Sequence, residues 1–279
     1  MLKDATVEML REKTGLNIDR KEVQKGGVIK SALIVMIREE LGLTIYESNF
    51  DDCTSDEDVL ERFTNMVNSH SCDEIANDVK QLRGYLNADN IKNNCFVSLL
   101  PRVNDDIKAR CYVKEFMDLV AIVKLNMPYG VANLTRNNDL YSEEDVWMWA
   151  ENNTAENSIM LDLNELLVNA GEDIDKYDNQ SSIAVVSNYN KFYGAGTIFS
   201  EATRKKIKMF CDNKSIDKAV IIPSSIHEVI ILNKENVDLE DINGAINSVN
   251  SQVVAEEDIL SNHAYIYNVK EDKIYIQEM

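Results

Sequence analysis

Two apolar, β-branched runs that follow each other almost without a break constrain the fold of this chain most strongly. Residues 220–222 and 226–232 are separated only by Pro223-Ser224-Ser225, which is a turn signal because proline presets φ and serine hydroxyls bond nearby backbone. Residues 229–232 are apolar at every position, which indicates a strand covered on both faces. We therefore expect this pair of strands in the centre of a sheet.

The same order, two strands and then a helix, recurs in the first part of the chain. Residues 16–25 and 28–37 flank Gly26-Gly27, and two glycines that tolerate positive φ favour a tight hairpin, to which residues 43–46 could add a strand. A helix is predicted to start at Ser55, whose spacing to Asp58 is that of a capping box. A second helix is predicted from the spacing of Ile75, Val79, Leu82 and Leu86. Residues 1–92 are therefore predicted to form an N-terminal hairpin plus two helices.

The remaining residues, 93–279, are predicted to form the main domain. Helices are expected after Ser142 and Ser200, and a third carries Leu239, Ile242, Ile246 and Val249 on one face. Strands are predicted at residues 96–101, 116–125, 129–134, 183–186 and 193–199, with a terminal hairpin at residues 264–267 and 274–276. Recurring strand-strand-helix units indicate an α+β fold with mostly antiparallel sheet.

Charge and composition narrow the classes of partner. The chain has 29 basic and 48 acidic residues, a net charge of −19, which disfavours direct binding to nucleic acid or to anionic lipid. No apolar run reaches the roughly 18 residues that a membrane-spanning helix needs. The N-terminus continues into charged sequence rather than an apolar signal core, so we expect a cytoplasmic protein without membrane contact.

The five cysteines are scattered along the chain and form no C-x-x-C pair, so the sequence predicts neither a disulfide framework nor a zinc site. Buried free thiols are the expected state. The sequence has no phosphate-binding glycine loop of the G-x-x-x-x-G-K-[ST] type, and Gly194-Ala195-Gly196 lacks the third glycine of a dinucleotide fingerprint. We expect no cofactor and no metal, and we interpret the two glycines as relief for a close approach of strands.

Several short motifs carry a resemblance to a known family. They are Phe116-Met117-Asp118, Trp147 with Asn152-Asn153-Thr154, Tyr193-Gly194-Ala195-Gly196, residues 223–229, Leu260-Ser261 and Tyr265. The chain resembles an uncharacterised family of proteins from gut-dwelling Gram-positive bacteria, known only as a domain of unknown function. The resemblance implies a stand-alone intracellular bacterial protein, and it implies no reaction.

His227 is the candidate for acid-base chemistry, because the unperturbed pKa of histidine lies near physiological pH. In a strand, Ser225 and His227 project to one face and Glu228 to the other, so a triad from this motif alone is geometrically poor. One hypothesis is a hydrolase or transferase that uses His227 with Ser224 or Ser225. The other is structural: the serines form a turn, and the His227 ring bonds the end of the sheet.

Two further groups of residues are candidates for binding a partner. Trp147 and Trp149 are two apart on a helix, so one is expected in the core and the other partly exposed, as an interface anchor. A basic cluster on the helix after Ser200 is either a solvated face or a docking site for an acidic partner or a second copy of the chain. It comprises Arg204, Lys205, Lys206 and Lys208.

These observations predict a non-catalytic binding or interaction protein with an unknown protein partner, possible self-association and no cofactor. The first alternative is the hydrolase or transferase built on His227. The second is an acidic inhibitor of a nucleic-acid enzyme, which would use the charge of −19 to mimic phosphates.

Overall fold

The computed structural model describes residues 1–38, 41–69, 85–127, 130–136, 141–169, 171 and 182–277. The chain divides into two compact units, Met1–Leu86 and Asn87–Met279. Helices and strands are numbered below in chain order.

The first unit contains an antiparallel three-stranded meander in the order β1-β2-β3. Lys25 pairs with Val28 across the Gly26-Gly27 turn, and Gly26 has a φ of 57°, so the predicted glycine hairpin and the third strand are confirmed. The elements of this unit are α1 (Asp4–Thr14), β1 (Asn17–Lys25), β2 (Val28–Arg38), β3 (Leu41–Tyr46) and α2 (Asp56–Asn68).

The start of α2 follows the predicted capping box. The Ser55 hydroxyl accepts from the Asp58 N–H, and the Asp58 carboxylate accepts from the Ser55 N–H. Phe63 of this helix is fully buried against the sheet residue Leu33 and other apolar side chains of the unit. The predicted second helix, with Ile75, Val79 and Leu82, falls on residues 70–84, outside the described part of the chain.

The second unit contains two antiparallel sheets, which confirms the predicted α+β fold with mostly antiparallel pairing. In the smaller sheet β6 pairs with β4, β5 and β7, and the larger sheet has the order β13-β12-β10-β11-β9-β8. The strands are β4 (Cys95–Leu100), β5 (Val113–Phe116), β6 (Leu119–Met127), β7 (Gly130–Asn133), β8 (Ser158–Asp162), β9 (Ala184–Asn188), β10 (Lys218–Ser225), β11 (Glu228–Asn233), β12 (Tyr265–Asn268) and β13 (Lys273–Tyr275).

Helices separate these strands along the chain. They are α3 (Ala88–Asn94), α4 (Asp105–Arg110), α5 (Glu143–Glu156), α6 (Leu163–Asn169), α7 (Glu201–Asn213) and α8 (Leu239–Gln252). The predicted domain boundary between residues 92 and 93 falls inside α3, which belongs to the second unit. No helix of the described residues is long and apolar enough to cross a membrane.

The two strands predicted at residues 220–222 and 226–232 lie in the interior of the larger sheet, as expected. β11 pairs with β10 on one side and with β9 on the other, and Val229 and Ile231 are fully buried. The position of the turn is a correction. β10 continues through Pro223 to Ser225 with an irregular register, and the turn consists of Ile226 and His227.

Two predicted strands are wrong. The run at residues 116–125 is broken at Met117, whose φ of 57° allows a turn between β5 and β6. Residues 193–199 are not a strand, because Gly194–Phe199 is a 3₁₀ segment with buried residues from Gly194 to Ile198. Alternating small and apolar residues fit either a strand or a 3₁₀ helix. The close contacts of Gly194 and Gly196 with neighbouring segments decide between the two.

The 3₁₀ segment passes between the two sheets of the second unit at very short range. A Cβ atom on Gly196 would lie 2.1 Å from the Val97 carbonyl oxygen in β4. A Cβ atom on Gly194 would lie 2.2 Å from the Ser187 hydroxyl in β9 and 2.5 Å from the His227 carbonyl oxygen in the β10–β11 turn. Only glycine permits these contacts, so the predicted close approach at the two glycines is confirmed, with a 3₁₀ segment in place of a strand.

We expect Gly196→Ala to lower the free energy of unfolding by about 3 kcal/mol or more, because the new methyl group meets backbone atoms of β4 that cannot rotate away. The matched control is Gly244→Ala in α8, where nothing lies within 4 Å, and it should raise the free energy of unfolding by roughly 0.5–1 kcal/mol. Urea denaturation followed by circular dichroism measures both. A Gly196→Ala protein that unfolds like the wild type would show that the segment is not a packing constraint.

Candidate functional site

His227 lies in the β10–β11 turn and has a polar neighbour at each ring nitrogen. Its Nδ1 accepts from the Tyr193 backbone N–H at 3.1 Å, and its Nε2 lies 3.4 Å from Oδ1 of Asp258. The ring also stacks on Phe192, with centroids 4.9 Å apart. Since Nδ1 is the acceptor, Nε2 carries the proton that faces Asp258.

This arrangement does not assemble the serine-histidine chemistry considered from the sequence. The Ser225 hydroxyl accepts from the His227 backbone N–H, and Ser225 pairs with Glu228 across the hairpin. Within the described residues no hydrogen bond joins the His227 ring to Ser224 or Ser225. The imidazole nitrogen that would act as a base already accepts from Tyr193, so the geometry favours the structural role of His227.

The loop that His227 holds is unusual in its backbone. Lys191 and Tyr193 both have positive φ, 53° and 58°, which non-glycine residues adopt rarely. Asn188 ties the loop together, since its amide donates to the Phe192 carbonyl and accepts from the Phe192 N–H. Backbone conformations of this kind persist where the surroundings impose them, and they occur often at functional sites.

This loop forms one wall of a cavity of about 370 Å³. The other walls are the end of α3, the start of β4, the end of β6 and the C-terminal turn of α5. We call it the asparagine cavity, because half of its lining residues are asparagines: Asn93, Asn94, Asn126, Asn153, Asn157, Asn188 and Asn190.

Besides Asn188, three of these asparagines donate from their NH₂ groups to backbone carbonyl oxygens. Asn94 donates to Asn90, Asn157 donates to Asn153, and Asn153 donates to both Lys92 and Cys95. Each NH₂ group has two N–H donors, so Asn153 has used both of them, whereas Asn94 and Asn157 each keep one. The amides of the asparagine cavity therefore offer both donors and acceptors to a ligand.

The lining also carries the Phe96 and Tyr193 rings, with centroids 6.2 Å apart. Behind Tyr193 lies Lys124, whose Nζ is 4.8 Å from the ring centroid and donates to Oδ1 of Asn133 at 2.8 Å. Lys124 is 7% exposed, and burial lowers its pKa to about 8. A buried amine with a lowered pKa beside a cavity is a common feature of functional sites.

The described cysteines are free thiols. Burial raises the pKa of Cys95 and of Cys211 to about 12 and also raises the pKa of Cys111. A high pKa keeps the thiol protonated and poorly nucleophilic. In the part of the chain that the structure describes, no three His, Cys, Asp or Glu side chains are grouped to hold a metal ion; His70 and Cys72 lie outside it.

One tryptophan is buried and the other is partly exposed, as predicted. Trp147 is 3% exposed and lies under Lys114, whose Nζ is 4.2 Å from the ring, whereas Trp149 is half-buried against Tyr141. Trp147 is therefore a core residue and not available to a partner. Trp149 stays a prediction as an interface anchor.

The basic cluster on α7 is largely occupied by bonds within the chain. Arg204 donates to the Phe199 carbonyl, Lys208 donates to the Val269 carbonyl, and Lys205 pairs with Glu201 at 2.7 Å. The Arg204 and Lys208 bonds hold α7 to neighbouring segments, and the Lys205 pair lies within the helix. Docking of an acidic partner here would have to compete with them.

Lys206 blocks the β8 edge of the larger sheet. Where β8 pairs with β9, the Tyr189 N–H donates to the Asn157 carbonyl and the Leu163 N–H donates to the Ile183 carbonyl. Successive residues of a strand point their backbone N–H and C=O groups to opposite sides. Those of Ser158, Met160 and Asp162 therefore lie on the outer side of β8. Lys206 occupies the Ser158 carbonyl and Glu165 accepts from the Asp162 N–H. Self-association through β8 is thereby disfavoured.

A second polar cluster was not expected from the sequence. His263 Nε2 lies 2.8 Å from one carboxylate oxygen of Asp118, and the Tyr265 hydroxyl donates to the other at 2.9 Å. Asp118 follows the left-handed turn at Met117, and the two partners flank the start of β12. The cluster ties the β5–β6 turn to the larger sheet.

A model of DUF5688, a family of unknown function, matches residues 2–269. The chain belongs to this family. The match covers nearly the whole sequence and confirms the resemblance to an uncharacterised family. No curated protein and no solved structure matches the chain.

The motifs that suggested a family of unknown function meet in space in this DUF5688 chain. Asn153-Thr154 and Tyr193 line the asparagine cavity, and Asp118 contacts Tyr265. The asparagines themselves were missed, except within the Asn152-Asn153-Thr154 motif. They lie at the ends of helices and strands, where asparagine is common as a capping residue, so their pattern in the sequence did not indicate a site.

We expect His227→Ala to lower the free energy of unfolding by about 1–3 kcal/mol, because the Tyr193 N–H loses its acceptor in a partly buried setting. Ser224→Ala is the control: no hydrogen bond joins its hydroxyl to the His227 ring within the described residues, and the change should stay within about 0.5 kcal/mol. Urea denaturation measures both. An unchanged unfolding curve for His227→Ala would contradict the structural role and favour the catalytic hypothesis.

Lys124 makes stability depend on pH in a predictable direction. Its pKa falls from 10.5 to about 8 on folding, so between these values the unfolded chain holds a proton that the folded chain has released. Between about pH 7 and about pH 9.5, the free energy of unfolding of the wild type should therefore rise by about 2 kcal/mol relative to that of Lys124→Met. Urea denaturation at both pH values measures the difference.

The matched control is Lys205→Met, since the hydrogen bond to Glu201 raises the pKa of this exposed lysine and keeps it charged throughout. The difference in free energy of unfolding between Lys205→Met and the wild type should be the same at the two pH values. If the difference between Lys124→Met and the wild type is also the same at both, the Lys124 amine is not desolvated in the folded protein.

Proposed function

We propose that this DUF5688 protein is a non-catalytic binding protein and that the asparagine cavity takes a small polar ligand. The observation that carries the proposal is the cavity itself. A volume of about 370 Å³ is lined by neutral amides and three aromatic rings, and ligand sites in proteins have volumes of this order, with a few oriented polar groups.

The rigidity of the walls supports the proposal. The loop wall is held by the His227 ring, by the reciprocal Asn188–Phe192 bonds and by the buried 3₁₀ segment that follows it. In the α5 wall, Thr154 accepts from the Val97 N–H and donates to the Ala150 carbonyl. A preformed site binds with a smaller loss of conformational entropy than a mobile one.

A binding role also fits the chemistry of the residues around the cavity better than catalysis does. The nearest histidine, His227, is occupied by Tyr193, and the nearest thiol, Cys95, has its pKa raised to about 12 by burial. Neither is a ready base or nucleophile.

We further propose that the protein works in the cytoplasm. Cys95, Cys111 and Cys211 are free thiols that are buried in the second unit. Free cysteines are typical of a reducing compartment, whereas secreted proteins more often pair them in disulfides.

Ligand-observed NMR with a library of small polar molecules tests the binding proposal. Asn190 lines the cavity and is exposed, so Asn190→Trp should fill the entrance without disturbing the core. The matched control is Asn236→Trp, since Asn236 is also exposed and lies outside the lining. We expect compounds that bind the wild type and Asn236→Trp but lose most of their binding to Asn190→Trp. The proposal is wrong if no compound binds, or if all of them bind Asn190→Trp equally well.

A further inference from the structure

We propose that the ligand of the asparagine cavity is a neutral saccharide, bound through its hydroxyl groups and one apolar face. This inference rests on the proposed function and adds the chemical class of the ligand. Three properties of the lining lead to it: its amides, its lack of charge and its rings.

The amides call for a ligand that both donates and accepts hydrogen bonds. Asn153 uses both of its N–H donors on backbone carbonyls and keeps Oδ1 as an acceptor, whereas Asn94 and Asn157 each use one N–H and keep one donor beside Oδ1. Asn126 adds an amide for which the described residues provide no hydrogen-bond partner, and it can both donate and accept. Hydroxyl groups match this mixture because each one donates once and accepts twice.

The lining does not suit an anion. Among the described residues that line the cavity there is no lysine, arginine or histidine, and the titratable side chains are the buried Cys95 and Tyr193. Phosphate and carboxylate groups are recognised by guanidinium forks, ammonium groups or clusters of N–H donors. The N–H donors that remain in the lining belong to neutral amides and supply no positive charge to an anion.

A cation is disfavoured by Lys124. Its ammonium lies 4.8 Å from the Tyr193 ring centroid and already uses the negative potential of that ring. A second positive charge near the same ring would be repelled by Lys124 in a buried setting, where charges are weakly screened. The uncharged lining of the cavity therefore favours a neutral ligand over a charged one.

The rings supply the remaining element of saccharide recognition. Tyr193 and Phe96 line the cavity beside the asparagines, and Phe192 at the rim is 49% exposed although one face of its ring stacks on His227. The negative face of an aromatic ring attracts polarised C–H groups, which a sugar ring presents on its less polar face. The amides of the lining thus match the hydroxyl groups of a pyranose, and the aromatic rings match its less polar face.

Protein-observed NMR titration tests the inference with glucose, galactose, mannose, N-acetylglucosamine, maltose, cellobiose and lactose as probes. Adenosine, spermidine and inorganic phosphate represent the competing ligand classes. We expect at least one saccharide to shift the amide signals of Asn188–Tyr193 and Cys95–Val97 in a saturable way. Asn126→Ala should weaken that binding roughly two- to tenfold, the effect of one neutral hydrogen bond, and Asn236→Ala should leave it unchanged.

The outcomes separate this inference from the binding proposal. If only adenosine, spermidine or phosphate shifts these signals saturably, the saccharide inference is wrong and the cavity is still a binding site. If no probe shifts them, both are wrong. Saccharide binding that Asn126→Ala does not weaken would place the sugar outside the asparagine cavity and also overturn the inference.

Discussion

The second unit depends on the close approach of one 3₁₀ segment to three backbone regions. Gly194 and Gly196 lie against Ser187, the His227 carbonyl and the Val97 carbonyl at distances that leave no room for a side chain. β4 of the smaller sheet and β9 of the larger sheet therefore share one packing element. Because the backbone of the segment itself fills this space, the two sheets cannot shift relative to each other without breaking the contact.

The same contact generates the candidate site. To enter the buried segment, the chain leaves β9 through Asn188 and passes Lys191 and Tyr193 in left-handed conformations. The His227 ring accepts the Tyr193 N–H and stabilises this path. The side chains of the loop then face α5 and β4 across a cavity, so the strained backbone and the asparagine lining have one structural origin.

The sequence singled out His227 and left a structural and a catalytic hypothesis for it. His227 stood out as one of three histidines, and its ring does bond neighbouring backbone, as the structural hypothesis held. The strand geometry that was assumed for Ser225 and His227 fails because His227 lies in the turn. Lys208 stood out by charge, yet its bond to the Val269 carbonyl depends on a segment 61 residues away, which no local pattern relates to α7.

The sequence by itself determined the local elements. The Gly26-Gly27 hairpin, the Ser55 capping box and the covered strand β11 follow from backbone preferences and from periodicity, which act over a few neighbouring residues. Only the tertiary structure decided that residues 194–199 form a 3₁₀ segment and that scattered asparagines surround one cavity. Thr154 and Val97 are 57 residues apart, and their hydrogen bond is formed only when α5 packs on β4. The site is made of such distant contacts, and for that reason local sequence preferences do not encode it.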